Sequence, residues 1–308
     1  MPGYTIRVFL FRVAHALGCR TNITCPKAGV SPPSTPMTRT EAVNHTTGGA
    51  GRAVVVFTDL DGTLMDHDSY DVMPAKAALQ ALAARSIPVV PVTSKTRTEL
   101  VPLMQQLGLS GPAIAENGAV IMNTDGSPDT AVARKTIALA LDLLPENIRK
   151  AMICFCDMNI EQIAVATGLT HADAARAAAR EASEPFMWQG DAPSLTTLIE
   201  IMGETLEKFD LRLTQGGRFF HIVPTRDKAA AISALLSEQM PRPQSWVLGD
   251  GPNDVSMLLA ADRGALIANE HVNTQGLLPA DHNLYMSRAS GPAGWHEAIT
   301  AFLTAEFG

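Results

Sequence analysis

The chain has 308 residues, which at about 150 residues per domain predicts two domains with a sizeable core. Hydrophobic residues make up 46% and charged residues 18%, a balance that is typical of folded globular proteins and argues against disorder. No apolar run reaches about 18 residues without a charge, so no transmembrane helix is predicted. The net charge of −7 disfavours nucleic acid as a partner.

Residues 1–50 differ from the rest of the chain. Residues 1–40 contain five basic side chains and no acidic one, and residues 31–36 are rich in proline and serine. These features fit a targeting peptide or a disordered extension, with Met37 as the alternative start in the second case. We favour the extension, because Arg12 interrupts the apolar core that a secretory signal requires.

From residue 53 onward, strands and helices alternate. Residues 53–58 (AVVVFT) form a β-branched apolar run that is typical of a parallel strand buried on both faces. The pattern predicts helices over 74–85, 99–107, 228–239 and 293–302, a helix beginning near Asn253, and strands over 87–92, 113–115, 245–248 and 264–268. This alternation predicts a doubly wound, Rossmann-like parallel-sheet α/β core built from residues 51–123 and 222–308.

The middle of the chain, residues 124–221, follows another pattern. It predicts helices over 135–144 and 171–182 and strands over 152–156, 186–188, 211–214 and 218–223. We interpret this segment as an α+β domain inserted between the two parts of the core. Cys154 and Cys156 are predicted to be buried in one strand, and the four cysteines form no CxxC pair. A reducing, cytoplasmic setting is therefore expected.

Two aspartates follow the first predicted strand. Asp59 and Asp61 are separated by one residue, so on an extended strand end they point the same way, and Gly62 then permits a sharp turn. In such a pair one carboxylate can attack as a nucleophile while the other exchanges a proton. The pair therefore predicts covalent phosphoryl transfer, against the alternative of a loop with two capping aspartates.

A second polar turn follows the strand predicted over 245–248. Residues 249–254 (GDGPND) place oxygen ligands on a tight turn at the start of a helix. Such ligands suit a hard cation such as Mg²⁺, which accepts carboxylates and keeps several waters. Asp250 and Asp254 are candidate ligands, directly or through water, and Asn253 is a candidate to orient them.

A hydroxyl and a cation complete the candidate set. Thr93 ends the second predicted strand, where its hydroxyl could donate to a phosphoryl oxygen. Lys228 begins a helix just after the inserted domain, where its ammonium could offset charge between phosphate and nucleophile. Arg226 lies only two residues away and stays an alternative to Lys228.

Together these motifs resemble the four motifs of the haloacid dehalogenase-like (HAD) hydrolase superfamily. Within it, the chain resembles the mannosyl-3-phosphoglycerate phosphatase family in residues 92–97 (VTSKTR), 116–119 (ENGA), 216–221 (GGRFFH) and 249–254 (GDGPND). Further similarity lies in residues 68–71 (DSYD), 166–169 (ATGL) and 290–295 (SGPAGW). The resemblance extends over residues 53–302.

The resemblance implies a HAD fold, a role for residues 124–221 as an α+β cap domain that closes over the substrate, and a role for each candidate residue. Asp59 would form an aspartyl-phosphate and Asp61 would act as general acid and base, while Thr93 and Lys228 would bind the phosphoryl group. Mg²⁺ would be held by Asp59, the backbone carbonyl of Asp61 and Asp250, with Asp254 as a further ligand. The candidate substrate-binding residues are Ser94, Lys95, Asn117, Arg218, His221 and Asn253. Arg218 and His221 are the candidates for the carboxylate or the sugar of the substrate, because an arginine fork suits a planar carboxylate.

The leading hypothesis is a Mg²⁺-dependent phosphomonoesterase. By resemblance its substrate is 2-O-mannosyl-3-phosphoglycerate, a small phosphorylated sugar-glycerate, and its product is mannosylglycerate, a compatible solute. The glucosyl analogue and simpler sugar phosphates stay open as substrates, and so does the oligomeric state. A sugar-phosphate mutase would use the same aspartyl-phosphate but return the phosphoryl group to its substrate. A non-catalytic binding protein would be expected to lack Asp59 or Asp61, and both are present.

Overall fold

The computed structural model describes residues 52–216, 219–271 and 278–308. The predicted N-terminal extension and the candidate residue Arg218 lie outside the described residues. Among the residues described, no helix is both long enough and apolar enough to cross a membrane.

The elements of the described residues follow in chain order. The strands are β1 (Val54–Thr58), β2 (Val89–Pro91), β3 (Ala113–Ala115), β4 (Val120–Met122), β5 (Pro128–Thr130), β6 (Met152–Cys154), β7 (Glu184–Trp188), β8 (Leu211–Gly216), β9 (Phe219–Pro224), β10 (Gln244–Gly249), β11 (Arg263–Ala268) and β12 (Tyr285–Ser290). The helices are α1 (Lys76–Ala83), α2 (Arg97–Leu107), α3 (Arg134–Asp142), α4 (Glu146–Ala151), α5 (Ile160–Thr167), α6 (His171–Ala178), α7 (Leu195–Glu207), α8 (Lys228–Ser237), α9 (Val255–Leu259) and α10 (Gly291–Phe307). Short 3-10 turns occur at Met73–Ala75, Glu116–Gly118, Phe155–Asp157 and Pro252–Asp254.

The central sheet has the order β12–β11–β10–β1–β2, and each neighbouring pair is parallel. Every residue of β1 is buried, as its apolar run predicts. Because side chains alternate along a strand, Val54 and Val56 join one apolar cluster with α1, α2 and α10. Val55 and Phe57 join a second cluster with α8 and α9. Helices therefore cover both faces of the sheet, and the predicted doubly wound α/β core is confirmed.

A second sheet, antiparallel and in the order β6–β7–β9–β8, is inserted between the two parts of the core. Helices α3, α4 and α7 contribute Ile137, Ile148 and Met202 to its apolar cluster. The predicted α+β cap is thus confirmed. Its boundaries stay predictions, and β9 continues to Pro224, beyond the predicted limit at 221.

Some local predictions differ from the structure. The strand predicted over 152–156 ends at Cys154, and the chain turns at Phe155–Asp157, so Cys156 is exposed and the prediction that it is buried is wrong. Helices α5 and α7 were not predicted. Both carry start signals, since the side chain of Asn159 accepts a hydrogen bond from the backbone N–H of Gln162, and that of Ser194 from the N–H of Thr197.

Candidate active site

Three polar loops meet at the carboxyl ends of neighbouring strands. Asp59 follows β1, Thr93 lies two residues beyond β2, and Asp250 follows β10. These strands are adjacent and parallel, so their carboxyl ends lie at one edge of the sheet, where open α/β sheets bind ligands. Asp59, Thr93 and Asp250 are all buried. The sheet therefore brings together side chains that are distant in the sequence.

Lys228 lies in the middle of this polar cluster. Its Nζ is 2.7 Å from Asp59 Oδ1 and 2.7 Å from Asp254 Oδ1, and the residue is only 1% exposed. Burial by itself lowers the pKa of Lys228, but the carboxylates of Asp254 and Asp59 outweigh it and raise the pKa above its ordinary value. Lys228 is therefore held as a cation between the two aspartates.

The start of α8 positions Lys228. The side chain of Asp227 accepts a hydrogen bond from the backbone N–H of Ala230 and so caps the helix. The loop after β3 passes close by at Gly118, which has a φ of +100°. A Cβ on that residue would lie 2.3 Å from the backbone carbonyl of Asp227. Glycine is therefore required there for the loop to approach the helix.

Arg226, the alternative cation, is engaged elsewhere. Its guanidinium donates hydrogen bonds to the backbone carbonyls of Gly118 and Ala119 at 2.9 Å and forms an ion pair with Asp129 at 2.7 Å. It ties the start of α8 to the loop after β3 and to β5. Of the two candidates, it is Lys228 that contacts Asp59.

Three carboxylates converge beside Lys228. Asp59, Asp250 and Asp254 each place an oxygen within 4.8 Å of the others. Burial raises the pKa of Asp59 well above its usual range, and the carboxylates of Asp254, Asp250 and Asp61 raise it further, although Lys228 opposes them. Burial and the charge of Asp254 likewise raise the pKa of Asp250. One lysine does not neutralise this buried negative charge, and oxygen ligands at this spacing fit a hard divalent cation.

The neighbours of Asp250 fix its side chain. Thr63 Oγ1 donates to its Oδ1 and Asn269 Nδ2 donates to its Oδ2, each at 2.5 Å. Gly62, with a φ of +80°, lies against the same carboxylate, and a Cβ there would be 2.7 Å from Asp250 Oδ2. The roles of Thr63 and Asn269 were not predicted from the sequence. Thr63 adjoins Gly62 in the first motif, whereas no motif marks Asn269.

Asp254 is held on both oxygens. Its Oδ2 accepts hydrogen bonds from the backbone N–H groups of Asp250 and Gly251 at 3.0 Å, and its Oδ1 pairs with Lys228. The side chain thus shapes the turn that carries Asp250 and orients Lys228.

Asp61 pairs with a second lysine. Lys95 Nζ lies 2.9 Å from Asp61 Oδ2 and 5.4 Å from the centre of the Tyr70 ring. Burial lowers the pKa of Lys95, but the charge and hydrogen bond of Asp61, together with the charge of Glu99, outweigh burial and raise it. Among the described atoms, Asp61 Oδ1 is buried without a hydrogen-bond partner. The pair leaves one carboxylate oxygen of Asp61 for a ligand.

The loops after β2 and β3 join at Thr93 and Asn117. The backbone N–H of Asn117 donates to the carbonyl of Thr93 at 2.9 Å, and Thr93 Oγ1 accepts from the N–H of Lys95 at 3.2 Å. Asn253 Nδ2 donates to Asn117 Oδ1 at 3.2 Å, which links this loop to the turn after β10. The backbone carbonyl of Ser94 accepts a hydrogen bond from the guanidinium of Arg180 in the cap at 3.0 Å.

His221 lies in the cap sheet on β9, where it pairs with Thr214 of β8, and it is buried. Glu116, for which no role was predicted from the sequence, is fully buried. Its carboxylate accepts hydrogen bonds from the backbone N–H groups of Glu181 and Ala182 and from the hydroxyl of Ser183. These contacts join cap and core, and they connect residues at least 65 positions apart.

The chain combines a parallel α/β sheet, two aspartates after strand β1, a buried lysine beside three carboxylates and an inserted cap, an arrangement typical of an enzyme active site. The chain belongs to the haloacid dehalogenase-like hydrolase family, whose model matches residues 56–276.

Solved structures share this fold. A phosphatase of the haloalkanoate (HAD) superfamily from Bacteroides thetaiotaomicron is 20% identical, with a TM-score of 0.61 over 85% of this chain and 99% of that chain. The sucrose-phosphatase of Synechocystis sp. PCC6803, determined with sucrose and phosphate, is 17% identical, with a TM-score of 0.54 over 82% and 98%. A sugar phosphatase of HAD subclass IIB is 17% identical, with a TM-score of 0.55 over 82% and 98%. At these identities the similarity establishes the fold alone.

Proposed function

We propose that the protein is a magnesium-dependent phosphomonoesterase that acts through an aspartyl-phosphate on Asp59. The observation that carries this proposal is the contact of Lys228 with Asp59 and Asp254 inside a buried cluster of aspartates. A carboxylate held beside a fixed cation is ready to attack an electrophile, because the surrounding charges need no rearrangement when the reaction occurs.

The two aspartates divide the chemistry. A carboxylate oxygen of Asp59 attacks phosphorus, the bond from phosphorus to the ester oxygen breaks, and Asp61 gives its proton to the departing oxygen. Asp61 then takes a proton from a water molecule that attacks the phosphorus of the aspartyl-phosphate. Phosphate leaves, and the Asp59 carboxylate and the protonated Asp61 are restored. Lys95, at 2.9 Å from Asp61, would hold that side chain in place for both steps.

Asp59, the backbone carbonyl of Asp61 and Asp250 would hold Mg²⁺, with Asp254 beside them. When bound, the ion supplies positive charge that offsets the charge of the phosphoryl oxygens. The Thr93 hydroxyl and the Lys228 ammonium would bind the phosphoryl group. Asn117, Asn253, Ser94 and Lys95 would surround the substrate near it, and His221 would face it from the cap.

Resemblance supports 2-O-mannosyl-3-phosphoglycerate as the substrate. The supporting segments lie on the site itself, since residues 92–97, 116–119 and 249–254 form the loops that carry Thr93, Asn117 and Asp250. Sugar phosphates are the second candidate class, supported by the similarity in fold to a sucrose-phosphatase and to a sugar phosphatase of subclass IIB. We further propose that the protein acts in the cytoplasm on a small molecule, without nucleic acid or membrane as a partner.

The test is phosphate release from mannosyl-3-phosphoglycerate, glucosyl-3-phosphoglycerate, mannose 6-phosphate and 3-phosphoglycerate, in Mg²⁺ and in EDTA. Asp59→Asn removes the nucleophile, and Asp191→Asn, an exposed residue, is the matched control. Melting curves report metal binding independently of activity. Mg²⁺ should raise the melting temperature of the wild type, because an ion that binds only the folded state stabilises it. Asp250→Asn should lose that increase.

Selective, metal-dependent release from the first ester, lost only in Asp59→Asn, would support both reaction and substrate. Release from simple sugar phosphates alone would retain the reaction and reject the mannosylglycerate assignment. If the folded wild type releases no phosphate, the phosphatase proposal is wrong. Interconversion of sugar phosphates in the presence of a bisphosphorylated activator would then identify a mutase.

A further inference from the structure

Arg212 lies on β8 of the cap and lines a cavity of about 570 Å³ between the cap and the core. Lys228, Asn117 and Asn253 line the same cavity from the core. The cavity therefore lies between the residues proposed to bind phosphate and the cap sheet. Because Lys228 contacts Asp59, this space adjoins the residues proposed to bind the phosphoryl group.

The strand pattern places Arg212 on the face of the cap sheet opposite its apolar core. Leu211 and Leu213 are buried in the cluster formed with α7. Because side chains alternate along a strand, Arg212 and Thr214 lie on the other face. Thr214 is paired with His221 of β9, so the polar residues of the two strands share this face.

The guanidinium of Arg212 is not committed to a protein partner. Within residues 52–216, 219–271 and 278–308, it forms no hydrogen bond and no ion pair. The nearby carboxylate of Asp227, which caps α8, attracts it electrostatically. Arg212 is half-buried, and burial lowers its pKa relative to that of a free arginine. A charged group that has lost water without gaining partners is unfavourable, so a bound anion would satisfy it.

A second cavity, of about 350 Å³, also lies between core and cap but offers no such cation. Its two basic side chains are paired, Lys95 with Asp61 and Arg176 with Asp173. An anion there would compete with two carboxylates already in place. The cavity at Arg212 also contains a carboxylate, that of Asp227, but this group caps α8 and forms no ion pair with Arg212, so this cavity is the better candidate for a negatively charged leaving group.

We propose that Arg212 binds a carboxylate on the leaving group and makes the protein selective for phosphomonoesters that carry a carboxylate as a second anion. The planar fork of the guanidinium can donate two parallel hydrogen bonds to a carboxylate, and the cavity has room for a sugar-sized group beside it. This inference rests on the proposed function, because it assigns the acid group of a phosphoglycerate ester to a residue.

The test compares two esters that differ only at the acid: mannosyl-3-phosphoglycerate, and the analogue in which a hydroxymethyl group replaces its carboxylate. Arg212→Met should lower kcat/KM for the acid roughly 10- to 100-fold, mainly through KM, as expected for lost hydrogen bonds to a charged group. The neutral analogue should be hydrolysed by Arg212→Met as by wild type. Arg212→Lys should fall between the two. Arg149→Met, which removes a cap arginine paired with Asp157, should match wild type on both esters.

Equal losses on both esters, or no loss on the acid, would overturn the proposal. If Arg212→Met does not fold, the two esters are compared on the wild type alone. The proposal requires a higher kcat/KM for the acid than for the neutral analogue, and equal values would reject it. If the wild type hydrolyses neither ester, the proposed function fails. Calorimetric binding of mannosylglycerate then tests Arg212 independently of catalysis: weaker binding by Arg212→Lys would support the carboxylate site, and unchanged binding would reject it.

Discussion

The carboxylate of Glu116 accepts a hydrogen bond from the hydroxyl of Ser183 at 2.5 Å, across 67 positions of the sequence. Glu116 belongs to the core and is fully buried, whereas Ser183 lies in the cap segment that leads into β7. The residue after Glu116 is Asn117, which bonds to the backbone of Thr93. One core loop therefore both holds the cap and borders the candidate phosphate site, so cap position and site geometry depend on each other.

Replacing Glu116 by Gln should weaken this junction. The amide keeps one acceptor oxygen in place of two and loses the charge that strengthens hydrogen bonds from Glu181, Ala182 and Ser183. We expect the free energy of unfolding to fall by about 2 kcal/mol, the usual range for a hydrogen bond to a buried charge. Urea unfolding measures it. Glu146→Gln, which removes an exposed ion pair, is the control, and equal midpoints for the two variants would contradict a joining role for Glu116.

Lys228→Met should mainly lower activity, whereas Arg226→Met should mainly lower stability. Lys228 contacts Asp59, so its loss should lower kcat roughly 100- to 1,000-fold, as removal of a fixed charge in an active site does. Arg226 donates to the carbonyls of Gly118 and Ala119. Its loss should lower the free energy of unfolding by about 1–3 kcal/mol with kcat nearly unchanged. Steady-state kinetics and urea unfolding of both variants check this pair of effects, and the reverse pattern would make Arg226 the phosphate-binding cation.

Much of the core could be predicted because its signals are local. The run over 53–58 is apolar at every position before Thr58, as a strand buried on both faces requires, and polar residues follow it at once. Parallel strands bring their carboxyl ends together, so Asp59, Thr93 and Asp250 could be placed near one another before any distance was known. Helix α7 of the cap was not predicted, although Leu195, Leu198, Met202 and Leu206 repeat at helical spacing after the capping residue Ser194.

The junction and the leaving-group cavity could not be predicted, because they depend on how the cap lies on the core. The hydrogen-bond partners of Glu116 are residues 181–183, and nothing near Glu116 in the sequence indicates them. Tertiary packing brings these distant residues to the buried carboxylate. Arg212 looks like any arginine on a strand until the sheet shows which face it occupies and that Lys228 lines the same cavity. Sequence motifs identify the residues that take part in the reaction, and the structure is needed to identify the residues that determine which substrate binds.

Asp262, just before β11, should make the stability of the protein depend on pH. Burial raises the pKa of Asp262, but hydrogen bonds from Ser245 and the charge of Arg242 outweigh it and lower the pKa. An acid whose pKa is lower in the folded state stabilises the fold above its unfolded pKa of about 4, and that stability is lost as the pH falls through the folded value.

Asp262→Asn should therefore lower the free energy of unfolding at pH 7 by about 1 kcal/mol, and the difference from wild type should shrink below about pH 4. Urea unfolding at pH 7, 5 and 3 measures it. Asp281→Asn, at an exposed loop position, serves as the control. A difference that is constant from pH 7 to 3 would show that Asp262 acts by packing and not by charge.

Gly62 and Gly126 have nearly the same backbone conformation, with φ values of +80° and +81°, so alanine at either position meets the same local strain of about 1–2 kcal/mol. Their surroundings differ. A Cβ on Gly62 would lie 2.7 Å from Asp250 Oδ2 and from Asn269 Nδ2, whereas nothing lies within 4 Å of a Cβ on Gly126. Gly62→Ala must therefore displace the candidate metal ligand.

We expect Gly62→Ala to lose more stability than Gly126→Ala in metal-free buffer, measured by urea unfolding, because its Cβ also disturbs the hydrogen bonds that hold Asp250. Only Gly62→Ala should lose kcat/KM, by about 100-fold, the effect of a displacement near 1 Å in an active site. It should also lose the rise in melting temperature that Mg²⁺ gives the wild type, because the displaced carboxylate of Asp250 no longer meets the ion. If Gly62→Ala kept both its activity and the Mg²⁺-dependent rise in melting temperature, the close approach of Gly62 would not control the position of Asp250. The loop at Gly62 would then be able to move away and accommodate the added Cβ.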